Sequence, residues 1–398
     1  MQSLDRREFL MLAGVAPLGL ALPMNSLAKP ALPGKPDEFF DPWLEVDVKN
    51  LAWNVTRVRK RVENRPIMAV VKCNGYGHGV VEAATAFAQQ GIRDFAVVKV
   101  PEALAMRKSG IKGTILNFGP FTKAEAAQIV RHDLSQSIFS DTVNTLAGAA
   151  RKLGKQAKVH IKVDTGLNRV GVCYDEALPF IEKVAAMPDI AIEGIFTTFT
   201  EDIEFDKVQL QRFKDVCAAA AKKGISLGVR HAASSAAVAN FPDAFLDMVR
   251  PGNCLYGLES LPNLAHKPAL SLKTRVIYIK KVHPGETVSY HRRLKVEKET
   301  LLATIPLGYS DGYPYRAVNK GDVLIGGKRW PLVAYMSANH VTVDITGSEG
   351  IKIGDEVVLF GAQGEEQISI GEVAEKGDSS VYKVVIEMNP LLPRRKRK

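Results

Sequence analysis

The sequence predicts an α/β protein in which a parallel (β/α)8 barrel is followed by a second, mostly-β domain. From about residue 44 to residue 270, eight short apolar runs rich in Val and Ile alternate with segments of helical pattern, which is typical of parallel strands buried on both faces. From residue 272 to residue 390, apolar runs are separated by short turns of Gly, Asp and Asn, with hardly a helical stretch. A doubly wound open sheet is the competing fold, but no GxGxxG motif follows the first run.

Each apolar run of the barrel is assigned a strand, in chain order. The runs with their following helical segments are IMAVVK with 80–90, FAVVKV with 101–110, TILNFG with 122–131, SQSIFS with 141–153, KVHIKVDTG with 174–187, and IAIEGIFTTF with 205–223. GVRHAASS and DMVRPGN close the series. The barrel is therefore assigned to residues 41–271 and the β-domain to residues 272–390. The early run PWLEVDVKN precedes the barrel and could join the β-domain.

The N-terminus has the order of residues found in an export signal. Arg6 and Arg7 precede an apolar stretch over 9–22, and the small-residue site Ser26-Leu27-Ala28 follows. Residues 1–28 are thus expected to be a twin-arginine-like signal peptide that directs the protein to the periplasm. An uncleaved membrane anchor is the alternative. Residues 29–40, rich in Pro and Gly, are expected to be a linker.

Composition limits the partners. The 398 residues are 46% hydrophobic and 24% charged, and no apolar run of the body is long enough for stable membrane insertion. The net charge is +10, but the last five residues are all basic, so residues 391–398 are expected to be a basic tail. No aromatic-interleaved basic patch accompanies it, so we expect no nucleic-acid partner. The four cysteines show no zinc spacing, and no metal site is expected.

Lys72 closes the apolar run of MAVVKCNGYGHG, at the end of the first barrel strand. A lysine held against apolar neighbours loses proton affinity and becomes a nucleophilic amine. The alternative is a lysine that snorkels to solvent while its stem covers the strand. Other polar residues follow later strands, where the strand ends of a barrel meet at one mouth: Lys162, Asp164, Thr165, Arg169, His231, Ser234, Ser235, Arg250 and Gly252. A lysine opposite small residues that cradle phosphate is what pyridoxal phosphate requires.

Five motifs resemble those of the alanine racemase family. They are AVVKCNGYGHG, KVDTGLNRVG, VRPGNCLYGL, GETVSYHRR and IPLGYSDGYPYR, and the resemblance covers residues 44–394 in order. It implies an isomerase that uses pyridoxal phosphate to convert L-alanine to D-alanine. Lys72 would hold the cofactor and act as base on one face of the substrate carbon, and Tyr290 would act on the opposite face. His231 would be the relay that stabilises the phenolate of Tyr290. The alternative role of Tyr290 is a cross-strand aromatic pair.

The resemblance also implies roles for the remaining residues. Arg250 would face the pyridine nitrogen, or instead pair with Asp247. The phosphate would be bound by Tyr76, Ser235, Gly252 and Asn253, although Ser235 could simply cap a helix. Lys162 corresponds to a carbamylated lysine that orients Arg169 toward the substrate carboxylate, with a surface ion pair as its alternative role. Tyr309 would stand at the entryway, and Ala338 at the substrate. Because the family takes Tyr290 and Tyr309 from the partner subunit, a head-to-tail homodimer is implied.

Three departures from the family pattern bear on the substrate. Thr198 replaces a histidine, and Ser337-Ala338-Asn339-His340 replaces a CMDQ stretch. The family's C-terminal phosphate-binding tyrosine is placed at Asn389 or Pro390. A roomier, less acidic pocket is expected to admit larger or basic amino acids, so a broad-specificity periplasmic racemase is one alternative. A decarboxylase of related architecture, a non-enzymatic single-barrel cofactor-binding protein and a catalytically inactive relative are the others.

Overall fold

The computed structural model describes residues 40–397. The predicted signal peptide, residues 1–28, and all but the last residue of the predicted linker lie outside the described residues. No helix of the described part is long and apolar enough to cross a membrane. All four cysteines fall within it as free thiols, and no cluster of potential metal ligands occurs among residues 40–397.

The barrel prediction is confirmed. In the described chain, seven parallel strands neighbour one another in sequence order: Met68–Val70, Asp94–Val97, Thr114–Asn117, Ser135–Ile138, Ala157–Asp164, Ile190–Phe196 and Val229–His231. The eighth run forms bridges rather than a regular strand and closes the circle. On one side the amide of Met68 donates to the carbonyl of Val249 at 2.9 Å, and on the other the amide of Arg250 donates to Ala233 at 2.8 Å.

Helices alternate with these strands and bury one apolar face. They are Val48–Arg61, Val80–Gln89, Val100–Lys108, Lys123–Arg131, Thr142–Lys152, Ala177–Ala185, Ile203–Lys222, Ser235–Asn240 and Asn253–Tyr256. Val48–Arg61 shows the local causes: Asp47 caps its N-terminus by accepting from the amide of Asn50, and Leu51, Val55 and Val58 are buried at helical spacing. A two-residue strand, Val172–Cys173, pairs with the end of Ala157–Asp164.

The β-domain is built on a ten-stranded sheet within the described residues. Its strands after the barrel are Leu270–Arg275, Tyr278–Val282, Thr300–Ile305, Asp322–Ile325, Lys328–Val333, Val341–Asp344, Glu356–Gln363 and Glu366–Ile368. Trp43–Asp47 pairs antiparallel with Leu270–Arg275, so the early strand does join this domain. A separate hairpin of Thr287–Val288 and Leu294–Lys295 carries Tyr290 in its connecting turn.

The C-terminus differs from the sequence prediction in two respects. Two helices, Ile370–Lys376 and Val381–Ile386, occupy a region expected to have hardly a helical stretch. Arg394–Arg397 is a strand parallel to Trp43–Asp47, so the chain up to residue 397 is not a solvated basic tail. The cause is pairing with the first strand. The amide of Leu44 donates to the carbonyl of Pro393 at 2.9 Å, and the Arg395 guanidinium lies 4.2 Å from the Trp43 ring centroid, a favourable cation–π distance.

Candidate active site

A cavity of about 660 Å³ opens where the barrel strands end. Eight of the predicted site residues line it: Lys72, Tyr76, Lys162, Arg169, Ser235, Arg250, Gly252 and Asn253. They come from four separate strand ends, which the parallel barrel brings to one face. The expectation that these residues converge therefore holds in the structure.

Lys72 lies two residues beyond the end of its strand, at the start of a single turn over Lys72–Tyr76. Within that turn Cys73 and Asn74 both have φ of 54°, in the left-handed region. Burial lowers the pKa of the Lys72 amine, and the positive charge of Arg169 adds to the effect. The Lys72 side chain therefore presents an amine that gives up its proton more readily than a free lysine does.

A cradle of polar groups lines the same cavity as Lys72 and is formed by Tyr76, Ser235, Gly252 and Asn253. The Ser235 hydroxyl accepts from the amides of Gly252 at 2.9 Å and Cys254 at 3.3 Å, so it joins two loops rather than capping its own helix. A Cβ at Gly252 would collide with the hydroxyl of Tyr76, so only glycine allows the backbone to approach this closely.

The donor set of the cradle fits a phosphate. Hydroxyl groups and the start of the short helix Asn253–Tyr256 meet at its surface. Backbone amides and hydroxyls are the usual ligands of a phosphate group. Together with the amine of Lys72, the cavity offers what pyridoxal phosphate needs at its two ends.

Arg250 is a buried residue of the cavity lining and is held by three acceptors. Its guanidinium donates to the carbonyls of Thr197 at 2.7 Å and Ala232 at 3.1 Å, and to Nδ1 of His231 at 2.9 Å. Burial lowers the pKa of Arg250 to about 9, which leaves it charged at neutral pH. The alternative pairing with Asp247 does not occur, because that carboxylate binds Arg230 instead.

His231 is fully buried and does not line the cavity. One of its ring nitrogens accepts from Arg250, and the other lies 2.8 Å from Nδ1 of His160. Neither nitrogen is therefore free to reach a phenolate, and the predicted relay role for His231 is not what this geometry provides. His231 instead positions Arg250.

Lys162 is buried at the cavity wall, which is inconsistent with a surface ion pair. Burial and the charges of Arg169 and Arg250 lower the pKa of its amine to about 8. A substantial share of Lys162 is thus neutral near physiological pH, and a neutral amine can react as a nucleophile.

The remaining predicted residues are not brought to this cavity by the same chain. Tyr290 and Tyr309 are 64% and 53% exposed on the β-domain. The Tyr290 ring meets Tyr335 edge to face at 5.8 Å between centroids, while the Tyr309 amide donates to Ser337 at 3.3 Å. Ala338 belongs to the same segment, since its carbonyl accepts from the Ser310 hydroxyl at 2.7 Å.

Tyr382 is a cavity residue that the sequence reading missed. Its ring lies 5.2 Å from that of Tyr76 and 5.8 Å from the Lys72 Nζ atom. The assignment of the C-terminal tyrosine position to Asn389 or Pro390 is wrong, because the tyrosine that the C-terminal domain supplies to this cavity is Tyr382. Tyr382 belongs to the apolar run YKVVIEM, which lies in the region expected to be mostly β but folds as a helix, because Ser380 caps its N-terminus by accepting from the amide of Lys383 at 3.2 Å.

The barrel, its lysine and the polar cradle in the same cavity together define a pyridoxal-phosphate-dependent barrel enzyme with an appended β-domain. Within that class, the chain belongs to the alanine racemase family. The family model for the alanine racemase N-terminal domain matches residues 46–260, and the model for the C-terminal domain matches residues 269–396.

Similar proteins agree with this membership. The chain is 38% identical over 363 residues to an alanine racemase of Carboxydothermus hydrogenoformans, covering 88% of this chain and 98% of the relative. It is 36% identical over 362 residues to that of Halothermothrix orenii, covering 88% and 96%. Among solved structures, the alanine racemase of Bacillus anthracis with bound L-Ala-P superposes with a TM-score of 0.82 at 30% identity, covering 90% and 96% of the chains. A histidine racemase from Leuconostoc mesenteroides, at 24% identity and a TM-score of 0.83, shares the fold.

Proposed function

We propose that this enzyme interconverts L-alanine and D-alanine with the help of pyridoxal phosphate. The observation that carries the proposal is Lys72, an amine of lowered pKa that shares one cavity with a cradle of hydroxyl and amide groups. The chemistry that pyridoxal phosphate supplies when bound is electron withdrawal from the α-carbon, which acidifies the C–H bond. Lys72, as a neutral amine, can take that proton from one face.

Arg250 and Lys162 set the environment of this proton transfer. Arg250 is fixed by three acceptors and stays charged, so it can donate a hydrogen bond into the cavity but cannot act as a proton acceptor. Lys162, if carbamylated, would carry a negative charge beside Arg169 and hold that guanidinium toward the substrate carboxylate. The lowered pKa of Lys162 supports this assignment, because only the neutral amine reacts with carbon dioxide.

A second base is needed on the opposite face, and we assign it to Tyr290 from a partner subunit. Within one chain, the cavity is lined by the cofactor-binding residues without Tyr290 or Tyr309, and both of these tyrosines are exposed. Exposed apolar side chains also occur at Val170, which lines the cavity, and on the helix Ile203–Lys222, at Ile203, Phe205 and Val208. An exposed tyrosine surface and an exposed apolar surface on one chain support a head-to-tail homodimer.

The decisive measurement is incubation of the purified protein with L-alanine, followed by chiral chromatography for D-alanine. Deuterium from the solvent should enter the α-carbon of both enantiomers. Lys72→Ala should abolish both signals, whereas Lys152→Ala, at an exposed helical lysine, should not. Formation of D-lysine or D-arginine with no D-alanine would favour the broad-specificity alternative. The absence of α-carbon exchange with any amino acid would identify an inactive relative.

We also propose that the enzyme acts in the periplasm. The support is the sequence of residues 1–28, with Arg6 and Arg7 ahead of an apolar stretch. Replacing both arginines by lysine should retain the protein in the cytoplasm, which fractionation followed by the racemase assay would reveal. If the wild type and the double-lysine variant were found in the periplasm to the same extent, export by the twin-arginine route would be contradicted.

A further inference from the structure

The C-terminal strand, Arg394–Arg397, brings one arginine against the loop that carries Lys72. Arg394 Nε donates to the carbonyl of Gly77 at 2.9 Å. Its Nη1 donates to the carbonyls of Pro390 and Leu392, each at 2.9 Å, so the side chain is fixed to its own segment. This guanidinium is largely buried, and it connects two parts of the chain more than 300 residues apart.

The loop over residues 72–79 needs such support. Cys73, Asn74 and Tyr76 all have positive φ, between 50° and 54°, which costs free energy for residues that carry a Cβ. A run of this kind persists only where its surroundings determine it. The loop's own hydrogen bonds supply part of the restraint: His78 Nδ1 lies 2.9 Å from the carbonyl of Tyr76, and the amide of Asn74 donates to Glu102 at 2.9 Å.

The C-terminal segment restrains the loop from two directions. At Gly77, with φ of 82°, a Cβ would collide with the carbonyl of Val385 in the helix Val381–Ile386. A Cβ at Gly79 would lie 2.9 Å from Cδ of Arg394. The loop is thus enclosed between that helix, which also supplies Tyr382 to the cavity, and the Arg394 side chain.

We propose that Arg394 is a positioning residue, which holds the loop 72–79 in the left-handed conformation that presents Lys72 and Tyr76 to the cavity. Cofactor affinity then depends on the C-terminal strand, although the strand touches neither the cradle nor the substrate. The inference relies on the proposed function only for the identity of the cofactor, since the loop conformation can be measured without it.

The test uses the full chain and compares Arg394→Met with Arg397→Met. Both variants remove one arginine from the same strand, but Arg397 is exposed at the chain end. Hydrogen exchange of the amides of residues 72–80 is measured in the cofactor-free protein, with the amides of Glu356–Gln363 as an internal reference. The Kd for pyridoxal phosphate is then measured by titration.

Arg394→Met should speed exchange in the loop and raise the Kd by about tenfold or more, the effect expected when a hydrogen bond to a charged group is lost. The reference strand and Arg397→Met should be unaffected. Arg394→Lys, which keeps the charge and stem, should give a smaller change. Equal loop exchange and equal Kd in both methionine variants would overturn the proposal, whatever substrate the enzyme uses. Failure of both Arg394 variants to fold would also overturn the proposal, because Arg394 would then stabilise the whole fold rather than the loop.

Discussion

Arg250 donates to Nδ1 of His231 at 2.9 Å, and this contact determines the protonation of two histidines. A guanidinium has no acceptor, so Nδ1 of His231 must carry the lone pair and Nε2 the proton. That proton points at Nδ1 of His160, 2.8 Å away, which must therefore accept. Both imidazoles are neutral, and the hydrogen bonds run in one direction: Arg250 donates to His231, and His231 donates to His160.

The first prediction concerns acid stability. Burial lowers the pKa of His78 to about 4 and that of His160 to about 3, and it lowers the pKa of His231 well below its usual range. The unfolded chain therefore binds protons that the folded chain excludes. The free energy of unfolding should fall as the pH drops below about 6.5, by roughly 1–2 kcal/mol per imidazole by pH 5. Urea titrations across this range measure the effect.

Variants at two histidines separate this cause from general acid denaturation. His160→Gln should flatten the pH dependence by about one proton. His132→Gln, at an exposed position after the helix Lys123–Arg131, is the control and should leave the slope unchanged. Identical slopes for the wild type and His160→Gln would show that this imidazole is not held neutral.

The second prediction concerns the cradle. Gly252→Ala should displace the Tyr76 hydroxyl and weaken the binding of pyridoxal phosphate by at least about tenfold, because a polar contact of the cradle is lost. Gly148→Ala is the matched control: Gly148 lies in the helix Thr142–Lys152, and a Cβ there meets nothing within 4 Å. That control should bind the cofactor normally and gain up to about 1 kcal/mol in stability. Equal Kd values for the two variants would contradict the assignment of the cradle.

The third prediction concerns Lys162. With a pKa of about 8, its amine should add to carbon dioxide, forming an N–C bond and releasing a proton. Protein equilibrated with ¹³C-bicarbonate should show a carbamate resonance that is missing in Lys162→Gln. Lys158→Gln should retain the carbamate resonance. Burial lowers the pKa of Lys158, but contacts with Asp133 and Glu193 raise it by more, so that amine stays protonated. A signal unchanged in Lys162→Gln would place the carbamate elsewhere.

The fourth prediction concerns the shared site. Lys72→Ala and Tyr290→Phe should each be inactive alone. In a mixture whose subunits have exchanged, the heterodimer contains one site with both residues intact, so about a quarter of wild-type activity should return. Tyr278→Phe, at another exposed tyrosine, should be active without mixing. A mixture that stays inactive although heterodimers form would indicate that both bases act within one chain.

Most of the fold and the cofactor-binding residues of the site could be predicted from the sequence, because both depend on local patterns. Strand ends of a parallel barrel share one face, so the ordered runs were enough to bring Lys72, Lys162, Ser235 and Arg250 together. Tyr382 was missed because a short apolar run fits a strand or a helix equally well. The sequence also could not show that Asp247 pairs with Arg230, or that both nitrogens of His231 are engaged, since these contacts depend on side-chain directions.

By itself, the sequence determined the barrel, the following β-domain and the residue types at the strand ends, because hydrophobic periodicity encodes which faces are buried. Only the tertiary structure decided what the last residues do: RRKRK shows a charge excess, but its pairing with Trp43–Asp47 and the contact of Arg394 with Gly77 join segments far apart in the chain. Such contacts depend on distances between elements, which periodicity does not encode. They turn the end predicted to be a basic tail into a support for the loop that carries Lys72.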